Sequence, residues 1–206
     1  MAPNWIFHAN EDDDHRVVTC CLFESTESVE NVSVGFMAAL HFAQLGNKVT
    51  LICEKQKVEK DFEATLNYLS RPRCVQALRN ILFLYINSAD EFLRVSIQAP
   101  QYCFSDSVVI VPDLDAYLSQ ENLPSTQKVL QGLALFHMFV KKQGIVMDER
   151  DKGCLQAGRG KPASLMCFVS DQVTTIKLNA LFDQVVAFTA EHRKLLWQEL
   201  EAWFLE

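Results

Sequence analysis

Five short apolar runs, each of strand length and the first four each followed by a segment with helical spacing, leave this chain few folds to choose from. They are Val17 to Phe23, Val49 to Cys53, Ile81 to Ile86, Val108 to Val111 and Leu165 to Val169. Their apolar residues are continuous rather than alternating, which is the pattern of strands buried on both faces. Between them, Val32, Phe36, Leu40 and Ala43 mark one face of a helix that Gly46 is placed to stop. Val58, Phe62, Leu66 and Leu69 stripe a second helix. Ser88-Ala-Asp-Glu91 has the form of a capping box, with hydroxyl and carboxylate reciprocally satisfying the first turn of a helix that carries Phe92 and Leu93. Leu130, Leu133, His137 and Val140 predict a long helix ending before Gly144. Strands alternating with helices imply βαβ units. The expectation is one α/β domain over residues 1–206, a mostly parallel sheet of five or more strands flanked by helices.

Some segments read differently. Residues 1–16 form an acidic lead-in, with Glu11 to Asp14 as a solvated charge run. Residues 144–163 are polar and Gly-containing, and read as a flexible surface loop. Val185 to Thr189 suits a strand by its β-branched residues and a helix by the spacing of Phe182, Val185 and Val186. Leu196, Leu200, Trp203 and Phe204 make an apolar stripe, either a docked terminal element or a partner surface.

Charge narrows the function classes. A net charge of −7 and a pI near 5.3 argue against strong autonomous binding to DNA, which needs clustered cations. The one basic candidate surface holds Lys152, Arg159 and Lys161. No apolar run approaches about 18 residues and acids begin at Glu11, so a soluble intracellular protein is expected, with no membrane partner. The seven cysteines are scattered without a C-x-x-C pair, as reduced thiols of a cytosolic or nuclear protein would be. No metal or cofactor is expected. His41 and His137 lie on predicted helix faces as core or surface residues, and Ser170-Asp171-Gln172 has no histidine nearby to make a nucleophile of its serine.

The most telling segment is V-V-I-V-P-D-L-D-A-Y-L, Val108 to Leu118: a buried strand with Asp113 and Asp115 at its tip. That is the shape of a Walker B motif, whose acid holds the water or magnesium of a nucleotide site. Its usual partner, the phosphate loop G-x-x-x-x-G-K-[ST], would fall on Glu24, Ser25, Thr26, Glu27, Ser28, Val29, Glu30 and Asn31. Both glycines are missing, the lysine is Glu30 and the magnesium-binding hydroxyl is Asn31. Phosphate would meet Glu24, Glu27 and Glu30 instead of backbone amides and a cation. One like-charge contact at ~4 Å costs about 4 kcal/mol at an effective dielectric near 20. Ordinary ATP binding at this turn is excluded as an expectation. If Tyr117-Leu118 sets the register, Pro112 takes the position of the catalytic acid.

In order and spacing, these motifs resemble the ATPase core of the RecA-type recombinase family. The likeness is to its diverged paralogues and to the SWIM-domain-associated subunit of Shu-type complexes. It runs from Val17 to Gln172 through N-K-V-T-L-I-C-E, I-L-F-L-Y-I, V-V-I-V-P-D-L-D-A-Y-L and S-L-M-C-F-V-S-D-Q, with Gln172 at the family's sensor position. The departures are the lost lysine, Pro112, and no Arg/Gly-rich DNA loop after Gln172. The resemblance implies a RecA-like core and a nuclear, non-catalytic pseudo-ATPase subunit without a cofactor. Such a subunit would form an obligate heterodimer with a second recombinase paralogue. The pair would remodel recombinase filaments, and reach single-stranded DNA through the complex, in homologous-recombination repair of DNA damage. Asp113 and Asp115 would be partner-binding residues. A nucleotide-binding α/β enzyme with an unconventional site at the strand tips is the alternative, and a scaffold unrelated to DNA a third.

Overall fold

The computed structural model describes residues 20–25, 31–60, 72–102, 107–118, 123–151, 163–170 and 178–205. Six strands make one sheet: β1 (Cys20–Ser25), β2 (Lys48–Cys53), β3 (Ile81–Tyr85), β4 (Ser107–Val111), β5 (Ser164–Val169) and β6 (Gln184–Phe188). Every neighbouring pair is parallel, in the order β3-β2-β4-β5-β1-β6. The helices are α1 (Asn31–Gln44), α2 (Pro72–Leu78), α3 (Ala89–Ile97), α4 (Leu123–Asp151) and α5 (Ala190–Leu205). A further helical stretch covers residues 55–60.

The strand order dictates where the helices lie. Connections after β1 and β2 step toward the β3 edge, and those after β3 and β4 step away from it. Right-handed crossovers therefore send them to opposite faces. On one face Phe23, Leu51, Ile110 and Phe168 pack with Phe36 and Leu40 of α1 and Leu196 of α5. On the other Leu22, Ile52, Val109 and Cys167 pack with Phe92 of α3 and with Leu133 and Phe136 of α4. Both layers are thus apolar, as the continuous runs required.

Helix ends follow local chemistry. Gly46, at φ +87°, stops α1 in the left-handed region that a side chain resists. Its N–H donates to Ala43 O, and the N–H of Asn47 donates to Phe42 O. His41, in the last turn of α1, is 2% exposed, and burial pushes its pKa down to about 4, so it is a neutral core residue at physiological pH. Ser88 caps α3 by accepting from the Glu91 N–H. The expected reciprocal half of that box is displaced by one residue, because the Glu91 carboxylate accepts from Asn87 N–H at 2.7 Å.

Three expectations need correction or completion. Helix α4 does not end before Gly144 but runs through it to Asp151, so 144–151 belongs to a 29-residue helix and not to a surface loop. A glycine costs a helix interior about 1 kcal/mol, too little to break one this long. The segment at Val185 is strand β6, paired along β1. Helix α2, opened by Pro72 at its first position, is an element that periodicity did not reveal. The acidic lead-in, residues 152–162 and most of the second predicted helix (61–71) lie outside the described residues.

Candidate functional site: the tip of strand β4

The C-terminal edge of an open parallel sheet gathers the ends of all its strands, and ligands bind where neighbouring connections leave for opposite faces. Strand β4 sits at the middle of that edge, between β2 and β5. Its tip carries Pro112, Asp113 and Asp115. Leu114–Tyr117 then forms a single 3-10 turn anchored by Leu114, fully buried, and Tyr117, 4% exposed.

Pro112 is buried against helix α1. A Cβ placed on Gly35 would lie 2.2 Å from the Pro112 Cβ and 3.1 Å from its Cα. Only glycine permits this approach of the α1 backbone to the proline ring. The register argument put a proline where a nucleotide site needs a carboxylate, and the pyrrolidine ring is wedged against the helix that follows the phosphate turn.

The two acids diverge. Asp113 Oδ2 receives the Lys57 ammonium at 2.5 Å, and the same ammonium lies 3.7 Å from Glu54 Oε1. Glu54 follows the last residue of β2, so the ammonium joins that strand's end to the tip of β4. Burial works to lower the Lys57 pKa, but the hydrogen bond and charge of Asp113, with those of Glu54, outweigh it and hold the pKa above its ordinary value. Asp115 turns the other way, its Oδ2 accepting from the Ser170 N–H at the end of β5 at 2.5 Å. Asp113 thus ties β4 to the segment after β2, and Asp115 ties it to β5.

Tyr117 stacks on Phe92 of α3 with ring centroids 5.9 Å apart. Its hydroxyl is enclosed and has no hydrogen-bond partner among the described residues. Its pKa is pushed well above the ordinary range by burial first, then by Cys53, Glu54, Asp113 and Glu91.

Of the residues proposed from sequence, Glu24 is half-buried near the end of β1 and Asn31 opens α1. Val29, Glu30, Lys152, Arg159, Lys161 and Gln172 lie outside the described residues. Gly35, Glu54 and Lys57 had gone unnoticed. The signal for the last two was an acid closing a strand with a lysine three residues on. Among the described residues no group of three or more His, Cys, Asp or Glu could hold a metal ion, and no helix is long and apolar enough to cross a membrane. Cys20, Cys21, Cys53, Cys74 and Cys167 are buried.

No protein-family model and no curated protein matches the sequence. Solved structures do match in fold. Against the crystal structure of the RadB recombinase the TM-score is 0.51 at 12% identity, over 81% of this chain and 72% of that one. At this identity the likeness is one of fold: six parallel strands with helices on both faces form a RecA-type α/β core.

Proposed function

We propose that this chain is a non-catalytic, pseudo-ATPase subunit of a recombinase-paralogue complex acting in homologous-recombination repair. It pairs as a heterodimer with a second, phosphate-loop-bearing paralogue, and the pair binds and remodels recombinase filaments on single-stranded DNA in the nucleus. The observation that carries this reading is the Pro112 ring packed against Gly35, at the strand tip where a nucleotide site keeps its acid and its water. It agrees with a preceding turn that offers carboxylates, and no lysine, to phosphate. The likeness to a recombinase supports the cellular setting. A net charge of −7 supports leaving most DNA affinity to the partner, with Lys152, Arg159 and Lys161 as this chain's candidate contribution.

Affinity capture of the tagged chain from its native cells, with mass spectrometry, tests the reading. The expected catch is a second RecA-type chain with an intact phosphate loop, and its absence refutes the proposed assembly. Calorimetric titration with ATP and magnesium tests the pseudo-ATPase part, for which no micromolar binding is expected. Micromolar binding would favour the alternative, a nucleotide enzyme using the strand tips, since Lys57 and the acids there are the polar groups such a site would recruit.

A further inference from the structure

Helix α4 is bare on the side where a surface helix normally carries its charges. From Val129 to Val140 the sequence holds no Asp, Glu, Lys or Arg. Val129, Leu133, Phe136 and Val140 make the inward side, fully buried in the core layer that α4 shares with α3. The opposite side is Gln131, Ala134, Leu135 and Met138. The first two are exposed, Leu135 is half-buried and Met138 is 51% exposed. On α3 the outward side runs Asp90, Arg94, Ile97 at helical spacing, and Ile97 is 61% exposed. A helix with one side in the core and the other in water puts its charges on the second. An uncharged outer side points instead to a surface that a partner covers. Helix faces have no spare backbone groups to pair with a strand, so a second helix is the shape that fits.

The charges at the two ends of this side identify the partner. Lys142 is exposed at the C-terminal end and has no ion pair among the described residues. At the other end Lys128 holds Asp90 of α3 at 2.6 Å, and the Asp90 side chain stays 75% exposed. Lys128 and Lys142 stand about 21 Å apart along the helix axis, with Leu135 midway. A second copy laid antiparallel about a two-fold axis at Leu135 therefore brings each Lys142 to the other copy's Asp90. The same axis sets each Met138 between the other copy's Gln131 and Leu135. Such a surface is self-complementary, as a two-fold contact requires. A parallel arrangement would set Lys142 against Lys142 instead.

We propose that the outward side of α4 is a docking surface for a second copy of this chain, α4 against α4 and antiparallel, with Lys142 of each copy meeting Asp90 of the other. One helix face buries less than about 1,200 Å² in total, the small end of specific interfaces. The dimer is therefore reversible, with a dissociation constant of about 10–100 µM. The inference goes beyond the proposed function and does not use the β4 tip. A chain can hold a paralogue at the tip and a copy of itself at α4.

Sedimentation equilibrium of the purified full chain, at concentrations that bracket this range, tests the proposal. The wild type is expected to associate reversibly to a dimer and no further. M138D, which places two carboxylates at the centre of the contact, is expected to weaken the dimer about tenfold. D90K sets like charges at both ends and is expected to weaken it about tenfold as well. Adding K142E to D90K reverses the second charge and is expected to recover most of that loss. Circular dichroism checks folding. Asp90 is well exposed, so D90K and D90K/K142E keep the test decisive if M138D does not fold. A wild type that stays monomeric leaves the face to a different protein and overturns the proposal. So does a dimer that folded M138D leaves intact, or a D90K loss that K142E does not reverse. All of this is read on the isolated chain without ATP or a paralogue, so failure here and failure of the proposed function are separate results.

Discussion

The two sides of the β4 tip are closed by different chemistry, although the residues that close them are at most three apart in the chain. Toward β2, an ammonium stands between two carboxylates, in a pair whose side chains keep 38% and 24% of their exposure. Toward β5 and α1, closure comes from shape and from a carboxylate on a backbone amide: Pro112 against Gly35, and Asp115 on the Ser170 N–H. The first side can exchange its contacts with water or with a partner at little cost, because half-exposed ion pairs contribute little. The Pro112–Gly35 contact on the second side cannot, because close-packed backbone has no alternative arrangement. Similar acids in one short turn therefore have unequal roles. Asp113 holds a side chain, and Asp115 holds a backbone amide at the end of the neighbouring strand.

This contrast can be broken or sharpened by mutation. The largest effect is expected from Gly35→Ala, whose methyl would overlap the Pro112 ring, with a loss of about 2–4 kcal/mol in denaturant unfolding. Adding Pro112→Gly to that background should recover much of the loss, and strict additivity would place the strain elsewhere. Asp115→Ala should cost about 1–3 kcal/mol, since the Ser170 amide loses its acceptor. Asp113→Ala should cost less than about 1 kcal/mol in the isolated chain, while weakening capture of the partner if the acid contributes there. A larger cost for Asp113 than for Asp115 would invert the comparison. The smallest effect is the pH dependence of the Lys57 pair. The folded pKa is raised, so its contribution is complete below the ordinary lysine value of 10.5 and is lost only as pH rises through the folded value. Stability attributable to Lys57 should therefore be flat through neutral pH and fall only in alkali, and K57M should remove that alkaline fall.

Much of this arrangement was legible in the residues. The strands were, because β-branched runs without polar interruption have one comfortable environment, a sheet covered on both faces. The end of β4 was, because the apolar run Val108 to Val111 stops at a proline. What escaped was set by distance along the chain or by small energies. Lys57 and Asp113 are 56 residues apart, and nothing in E-K-Q-K shows which lysine turns inward. Gly35 lies in the middle of a clean helical stripe, where a glycine reads as a mild defect until the opposing proline is placed over it. Gly144 was overvalued as a stop signal, since tertiary packing of α4 along Val129, Leu133, Phe136 and Val140 outweighs one glycine further on. The Glu91 cap differs from expectation by a single amide, a distinction that spacing does not resolve.

The contact between Gly35 and Pro112 couples two positions far apart in the chain. A carboxylate in place of Pro112 would put a charge against the helix backbone, in space shaped for an apolar ring. A side chain in place of Gly35 would meet that same ring. Each position is free to change only once the other has, so in the evolution of such a chain substitutions at the two are expected to travel together.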